Sequence, residues 1–281
     1  MTATVDRTAA GVCGLEEEMD LGIRGKVALV GAAAGGLGLA TAESLAMEGC
    51  DVAICDVDSE VHHGPLAKVV AAGSGIRVGA FTVDLTDAAA IAKLVADVKS
   101  QLGPVDILVT NSGGPPPGTF DSASDDLWLH TFQLTFLSAV RMIRQVLPDM
   151  KNAGWGRIVN FTSRALKEPI PNLMLSNAVR LAVAGMAKTL AAEVAIHGIT
   201  VNNIGPGPTM TDRAVQLAAA RAEKKGITTE EELELTAGRI PRGRLATPEE
   251  QAAVATFLAS QQAGHITGVS LLVDGGETRA L

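Results

Sequence analysis

The sequence predicts an α/β fold, a single doubly wound domain with about seven parallel strands and a small helical lid. Short apolar runs alternate with longer segments of helical pattern from Lys26 onward. The runs are continuously apolar, which is typical of parallel strands whose two faces are both covered by helices. The chain of 281 residues is 47% hydrophobic and 19% charged, and this composition favours a well-buried globular protein.

The predicted elements form repeated strand–helix–strand units, which give right-handed crossovers and a parallel sheet. Strands are predicted at residues 26–30, 51–56, 79–85, 105–110, 157–162, 198–204 and 269–276. Helices are predicted at residues 36–49, 124–151, 174–197 and 247–260. Thr247 is expected to cap the last helix, because Glu249 and Glu250 suit its positive first turn.

Two segments depart from this repeating pattern. Residues 1–18 are expected to be a flexible extension, because the domain pattern begins at Met19 and runs to residue 281. Residues 211–240 contain charged helical pieces between a Gly-Pro-Gly-Pro turn and a resumed core pattern. We expect this segment to form a helical lid over a pocket rather than a second domain.

Composition and charge exclude several functional classes. The net charge is −8 and no dense basic stretch occurs, so a nucleic-acid partner is not expected. No apolar run approaches the roughly 18–20 residues of a membrane span, and the N-terminus lacks the charged-then-apolar order of a signal peptide. The three cysteines, Cys13, Cys50 and Cys55, have no metal-binding spacing. We therefore expect a cytoplasmic protein without a metal site, a nucleic-acid partner or a membrane span.

A glycine-rich segment, VGAAAGGLGLA at residues 30–40, joins the first predicted strand to the first helix. Glycines there allow backbone N–H groups and the positive end of the helix to meet a diphosphate without interference from a Cβ. Asp56 ends the next strand about 20 residues after Gly36, where a carboxylate can accept hydrogen bonds from ribose hydroxyls and repels a 2′-phosphate. Residues 32–35 supply no cation for such a phosphate, so the sequence predicts NAD rather than NADP.

Further short motifs follow in a fixed order along the chain. Asp84 and Leu85 end the third predicted strand, and Asn111 and Gly113 lie in "TNSGG" after the fourth. The remaining motifs are "GPGPTMT" at residues 205–211, "IPRGRLATPEE" at 240–250 and "ITGVSLLVDGG" at 266–276. With the glycine-rich segment, these motifs make the chain from about residue 19 to residue 276 resemble the classical short-chain dehydrogenase/reductase family.

The resemblance implies a Rossmann-type dinucleotide-binding oxidoreductase domain at residues 19–281. It places these residues at the cofactor: Gly31, Gly36, Leu37, Gly38, Asp56, Asp84, Leu85, Asn111, Gly113, Arg180, Pro206, Gly207, Thr209 and Thr211. The family's Thr-Gly-x-x-x-Gly-x-Gly loop falls on residues 31–38, with Gly31 and Ala32 in place of its Thr and first Gly. If the φ of Ala32 is negative, alanine is tolerated there and stiffens the loop.

The resemblance also identifies the catalytic positions. Family members hold the substrate oxygen with a serine and exchange its proton through a tyrosine, a lysine and an asparagine. The serine is kept as Ser163, but Ser176 stands at the tyrosine position, Arg180 at the lysine position and Thr135 at the asparagine position. The chain contains no tyrosine at all. An aliphatic hydroxyl holds its proton more tightly than a phenol, whose pKa is about 10, and arginine stays protonated.

Three interpretations of this site are open. In the favoured one, the protein is an NAD-dependent oxidoreductase with a non-standard site, acting on a small carbonyl, alcohol or conjugated enone. Ser163 and Arg180 then polarise the substrate oxygen, Ser176 at most positions water, and water or a substrate group supplies the proton. The second interpretation is a nucleotide-binding pseudoenzyme with a regulatory or assembly role. The third is a non-redox lyase similar to the halohydrin dehalogenases, which combine Ser, Tyr and Arg with an anion pocket.

The assembly state is predicted from two helices. The helices at residues 124–151 and 174–197 carry many small apolar residues. The resemblance implies that such helices pair between subunits. We therefore expect a homotetramer, or at least a homodimer.

Overall fold

A single seven-stranded sheet organises the protein. The computed structural model describes residues 19–280, so the predicted extension at residues 1–18 lies outside the described residues. The strands are β1 (Val27–Gly31), β2 (Asp51–Asp56), β3 (Val78–Thr82), β4 (Ile107–Thr110), β5 (Gly156–Phe161), β6 (Ile199–Pro206) and β7 (Ser270–Val273). All strand pairs are parallel, in the order β3-β2-β1-β4-β5-β6-β7. The predicted Rossmann-type α/β fold is confirmed.

Helices cover both faces of the sheet. They are α1 (Gly36–Met47), α2 (Gly64–Ala72), α3 (Ala88–Gln101), α4 (Asp125–Thr131), α5 (Ser138–Ala153), α6 (Met174–Val194), α7 (Asp212–Lys225), α8 (Thr229–Ala237) and α9 (Pro248–Leu258). One core cluster contains residues of α3, α5 and α6, and the other contains residues of α1, α2 and α9. Among residues 19–280, no helix combines the length and the apolar character needed to cross a bilayer.

The order of the strands explains where a cleft can form. β1 lies between β2 and β4, so the chain leaves β1 on one side towards β3 and returns on the other side at β4. The loops after β1 and β4 therefore diverge to opposite faces of the sheet. In open parallel sheets, ligands bind at such a switch point, outside the carboxyl ends of the strands.

The helix predicted at residues 124–151 is interrupted. Between α4 and α5 the backbone forms a π-helical segment at Phe132–Leu137. This segment contains Thr135, the residue at the asparagine position, whose side chain is 6% exposed. A π-helical turn adds a residue without changing the apolar pattern on either side, so periodicity alone does not indicate it.

The predicted lid segment, residues 211–240, consists of α7 and α8 joined by a short turn. Thr228 and Glu231 form a capping box at the start of α8. Glu232 on α8 has a side chain only 1% exposed and accepts hydrogen bonds from Lys225 and Arg221 of α7. These bonds lower the pKa of Glu232 and hold the two helices together as one unit.

Ala32, directly after β1, has a φ of +48°. Alanine would be tolerated there if φ were negative, and the structure does not meet that condition. A left-handed conformation brings the Cβ of a residue other than glycine close to a carbonyl oxygen and costs about 1–2 kcal/mol. Two neighbouring hydrogen bonds retain the conformation: Ala33 N donates to Cys55 O at 3.1 Å, and Ala34 N donates to Asp56 Oδ2 at 2.9 Å. The end of β2 therefore holds the loop in a strained shape.

Replacing Ala32 by Gly tests this strain. Ala32→Gly is expected to raise the free energy of unfolding by up to about 1 kcal/mol, because the relieved strain exceeds the added chain entropy of about 0.4–1 kcal/mol. Ala33→Gly is the matched control: its buried methyl group has no positive φ to relieve, and its loss should cost about 1–2 kcal/mol. Urea unfolding of both variants gives the comparison. Destabilisation of Ala32→Gly would show that Ala32 is not strained.

Candidate active site

A cleft of about 430 Å³ opens at the carboxyl ends of β1, β4 and β6. Most of the residues predicted to bind the cofactor line it: Gly36, Leu37, Asn111, Gly113, Arg180, Pro206, Gly207, Thr209 and Thr211. The rest of the lining comes from the glycine-rich loop, from the residues after β4 and from the start of α7. The structure thus brings together four segments that are far apart in the sequence.

The N-terminus of α1 is open towards this cleft. Gly35 precedes the helix, no side chain caps it, and no acidic residue lies in the first turn. The N–H groups of a first helical turn have no acceptor within the helix and carry partial positive charge. A Cβ on Gly35 would meet no atom of residues 19–280 within 4 Å, so none of these residues blocks the approach to these groups. Such a cradle fits the diphosphate of a dinucleotide.

Two predicted cofactor residues, Gly31 and Gly38, lie behind the cleft rather than in its lining. A Cβ on Gly38 would lie 2.3 Å from the carbonyl oxygen of Ala32, and a Cβ on Gly31 would lie 2.8 Å from the carbonyl oxygen of Asn111. Neither position accepts a side chain without movement of the backbone. Their structural effect is to let α1 and the loop after β4 approach β1 closely.

Asp56 lies at the end of β2, beside the glycine-rich loop. One carboxylate oxygen accepts a hydrogen bond from Ala34 N at 2.9 Å, and the other accepts one from Asp58 N at 3.2 Å. Within residues 19–280, no Lys, Arg or His forms an ion pair with Asp56. The carboxylate is therefore fixed in place by backbone donors and keeps its negative charge unpaired.

Asp84 and Leu85 follow β3 and have different environments. Asp84 is exposed, and its Oδ1 accepts hydrogen bonds from the backbone N–H and the hydroxyl of Thr86, both at 2.8 Å. These two donors lower the pKa of Asp84. Leu85 is buried, with its Cδ1 3.7 Å from the position of a Cβ on Gly31. Leu85 thus supports the strand that carries the glycine-rich loop.

Ser163 follows β5 and lines a second cavity of about 270 Å³. Its Oγ accepts a hydrogen bond from Ala165 N at 3.1 Å, which leaves the hydroxyl proton available to another acceptor. The second cavity shares four lining residues with the cleft, namely Pro206, Gly207, Ala214 and Leu217. The two cavities are therefore adjacent compartments under α7.

Arg180 and Ser176 lie one turn apart on α6. Arg180 Nε donates to Ser176 Oγ at 3.3 Å, and Arg180 Nη1 donates to the carbonyl oxygen of Phe161, at the end of β5, at 3.1 Å. No acidic side chain in the described range 19–280 forms an ion pair with Arg180. Burial and the nearby charge of Arg213 lower the pKa of Arg180 to about 10, so its guanidinium remains charged at neutral pH.

Arg213 is a site residue that the sequence analysis missed. It lies in the first turn of α7, and its Nη2 donates to the carbonyl oxygens of Gly114 at 2.8 Å and Pro115 at 3.0 Å. The charge of Arg213 lowers the pKa of Arg180, so the two like charges repel each other. A cation in the first turn of a helix also opposes the helix dipole. That unfavourable placement is the signal by which the sequence could have indicated this residue.

Thr135 lies apart from the cleft. Its Oγ1 is buried and has no hydrogen-bond partner among residues 19–280. It lines a void of about 10 Å³ that also touches Asn111 and Ser112, and those two residues line the cleft as well. Thr135 therefore lies behind the residues that follow β4, not against the open space of the cleft.

The polar side chains of the second cavity are largely paired with one another. Arg164 Nη2 donates to Glu277 Oε1 at 3.1 Å, and both side chains are mostly buried. Burial raises the pKa of Glu277 despite this partner.

Within residues 19–280, no group of three or more His, Cys, Asp or Glu side chains is placed to hold a metal ion.

Comparisons with known proteins agree with the fold and the cleft. Residues 31–278 match the family described as enoyl-(acyl carrier protein) reductase. The chain is 33% identical to D-beta-hydroxybutyrate dehydrogenase of Cupriavidus necator, over 90% of this chain and 98% of that protein. It is 35% identical to 2,3-dihydro-2,3-dihydroxybenzoate dehydrogenase of Bacillus subtilis, over 92% of this chain and 97% of that protein.

A solved structure extends the similarity to three dimensions. L-sorbose reductase from Gluconobacter frateurii, complexed with NADPH and L-sorbose, superposes with a TM-score of 0.89 at 32% identity. The match covers 94% of this chain and all of that one. With the parallel sheet, the switch-point cleft and the matched residues, these similarities show that the chain belongs to the short-chain dehydrogenase/reductase family of oxidoreductases.

Proposed function

We propose that the protein transfers hydride between NAD(H) and a small carbonyl or alcohol, with a conjugated enone as a further substrate type, and that it works in the cytoplasm. The observation that carries this proposal is the adjacency of two compartments. The cleft contains the open N-terminus of α1, and the second cavity contains Ser163. A cofactor in the first and a substrate in the second can meet under α7.

Different residues at the cleft bind different parts of the cofactor. The first turn of α1 binds the diphosphate, while Asp84 and the fixed carboxylate of Asp56 face the adenosine end. Asn111, Gly113, Arg180 and the turn from Pro206 to Thr211 lie along the other end. The bound nicotinamide supplies or accepts the hydride, and these side chains fix its position relative to Ser163.

The preference for NAD depends on Asp56. Its carboxylate has backbone donors but no cationic partner within the described chain, so a 2′-phosphate would meet an unpaired negative charge. The L-sorbose reductase structure contains NADPH, so the fold itself does not exclude a 2′-phosphate. The choice in this protein therefore follows from its own residue at the end of β2.

At the site of hydride transfer, Ser163 donates its hydroxyl proton in a hydrogen bond to the substrate oxygen. As hydride adds to the carbonyl carbon, negative charge develops on that oxygen, and Ser163 and the charge of Arg180 stabilise it. Water or a group of the substrate then supplies the proton, because no tyrosine exists in the chain. Ser176, whose Oγ accepts from Arg180, at most positions that water.

The absence of tyrosine also supports a second candidate, a nucleotide-binding relative without the reaction that acts in regulation or assembly. The third candidate, a dehalogenase-like lyase, is supported only by Arg180. It also requires an anion pocket in place of the nicotinamide, and the open helix N-terminus and Asp56 favour a dinucleotide instead.

The assembly proposed is a homodimer or homotetramer built on α5 and α6. A groove of about 1060 Å³ lies between these helices. It carries Arg144 and Lys151 on α5 and Glu193 on α6. A second copy related by a two-fold axis can therefore place opposite charges against each other over the apolar floor.

Calorimetric titration with NAD and NADP tests the cofactor proposal. The wild type is expected to bind NAD at least about tenfold more tightly than NADP, because the 2′-phosphate faces Asp56. Asp56→Asn should reduce this preference, whereas Asp58→Asn, a neighbouring exposed carboxylate, should leave it within about twofold. Tighter binding of NADP by the wild type would contradict the role of Asp56.

Alanine substitutions test the proposed roles at the chemical end. Ser163→Ala and Arg180→Ala should each lower kcat by about 10²–10³-fold, because each removes a group that stabilises the developing oxyanion. Arg180→Ala should also weaken NAD binding, whereas Ser163→Ala should not. Ser176→Ala should lower the rate only mildly. A Ser176→Ala variant as damaged as Ser163→Ala would show that the serine on α6 carries the proton transfer.

Sedimentation velocity at micromolar concentration tests the assembly. The wild type should sediment as a dimer or tetramer, and Gly185→Arg should dissociate it. A Cβ on Gly185 meets no atom of the described part of the chain within 4 Å, so the variant obstructs the groove without a clash against those residues. Gly64→Arg, at an equally open position on α2, is the control and should leave the assembly unchanged. A monomeric wild type would contradict the proposal.

A further inference from the structure

Two arginines of the cleft converge on one wall without an acidic partner. Arg213 Nη2 lies 2.9 Å, and Arg180 Nη2 lies 3.7 Å, from the position that a Cβ on Gly114 would occupy. Neither side chain forms an ion pair with any residue in the range 19–280. We call the part of the cleft surface formed by Arg180, Arg213 and Gly114 the arginine wall.

Two of the three arginines that line the second cavity are paired with carboxylates. In the second cavity, Arg164 pairs with Glu277 and Arg221 pairs with Glu232. Both arginines of the arginine wall lie in the cleft and lack such a carboxylate. Burial lowers the pKa of Arg213, and burial together with Arg213 lowers that of Arg180. Arg213 is exposed overall, whereas Arg180 is half-buried, and neither guanidinium pairs with a carboxylate in the described part of the chain.

Hydrogen-bond donors remain available at the arginine wall. Arg180 uses Nε for Ser176 and Nη1 for Phe161, and its Nη2 has no acceptor within residues 19–280. Arg213 uses Nη2 for two carbonyl oxygens, and its Nε and Nη1 have no acceptor in the same range. Guanidinium groups match the planar geometry of a carboxylate through paired N–H donors.

We propose that Arg180 and Arg213 together bind the carboxylate of an acidic substrate, so that the substrate class is a hydroxy acid or oxo acid. This inference rests on the proposed hydride transfer. One negative charge between the two guanidinium groups removes their mutual repulsion and satisfies the remaining donors. The substrate then spans the boundary between the two cavities: its oxygen lies on Ser163 in the second cavity, and its carboxylate reaches the arginine wall in the cleft. Holding it at these two points orients the reacting carbon.

The position of the wall favours the substrate over the cofactor diphosphate as the source of the anion. The diphosphate cradle, the first turn of α1, lies beside the start of α7, since a Cβ on Gly36 would be 3.4 Å from Thr211 Cγ2, two residues before Arg213. Arg180 extends the arginine wall from there to the end of β5, because it donates to Phe161 O. Phe161 precedes Ser163 by two residues, so the charge lies beside the segment that holds the substrate oxygen.

Calorimetry with malonate as the carboxylate probe and malonamide as its neutral isostere tests the inference on the full chain. The wild type, both alone and saturated with NAD, should bind malonate and not malonamide. Arg213→Gln and Arg180→Gln should each weaken malonate binding about 10–100-fold, the effect of losing a hydrogen bond to a charged group. Arg213→Lys should restore part of the affinity. Lys224→Gln, which removes an exposed charge from the same helix, should stay within about twofold of the wild type.

The outcomes separate this inference from the proposed function. Absence of malonate binding in the wild type, or unchanged binding in Arg213→Gln, would overturn the arginine wall as a carboxylate site. Loss of malonate binding on saturation with NAD, together with tenfold weaker NAD binding in Arg213→Gln, would assign the anion to the cofactor and overturn it too. Malonate binding by a protein that binds no NAD would support the anion site and overturn the cofactor proposal. Thermal melts of each variant establish that it is folded.

Discussion

Gly38 approaches the carbonyl oxygen of Ala32 so closely that a Cβ on it would lie 2.3 Å away. Because of this contact, the first turn of α1 lies directly over the end of β1, with its N–H groups towards the cleft. Ala32 takes a left-handed backbone conformation, and the end of β2 holds it there through Ala33 and Ala34. The cradle, the fixed Asp56 and the approach of Thr211 to Gly36 all depend on this arrangement.

Much of this architecture is predictable because it depends on local pattern. The continuous apolar runs predict the bounds of all seven strands to within a few residues. They do so because helices cover both faces of the sheet, so the strands are largely apolar along their length. Most predicted cofactor residues line the cleft, because the carboxyl ends of parallel strands meet at one edge of a sheet. The φ of Ala32 and the π-helical segment around Thr135 were not predictable, since tertiary contacts decide them. Arg213 was missed because its importance appears only when α7 folds back to Gly114.

Charge is distributed unevenly along the carboxyl edge of the sheet, although the chain as a whole carries −8. Asp56 and Asp84 lie where β2 and β3 end, whereas Arg180 and Arg213 lie on the side of β4 and β5. In the proposed complex, this gradient repels a 2′-phosphate at one end and attracts a carboxylate at the other. In the proposed reaction, the guanidinium of Arg180 does not replace the proton donor that a tyrosine provides, but it stabilises the negative charge that hydride transfer creates.

The most direct test of hydride transfer without tyrosine follows the hydride itself. NADH with deuterium at the transferred position of the nicotinamide is incubated with the wild type and a panel of ketones, oxo acids and conjugated enones, and the products are analysed by mass spectrometry. The same panel is run with the double variant Ser176→Tyr, Arg180→Lys. We predict that the wild type yields a product one mass unit heavier than the product formed with unlabelled NADH. Incorporation of deuterium by the double variant alone would show that the natural protein has lost the reaction.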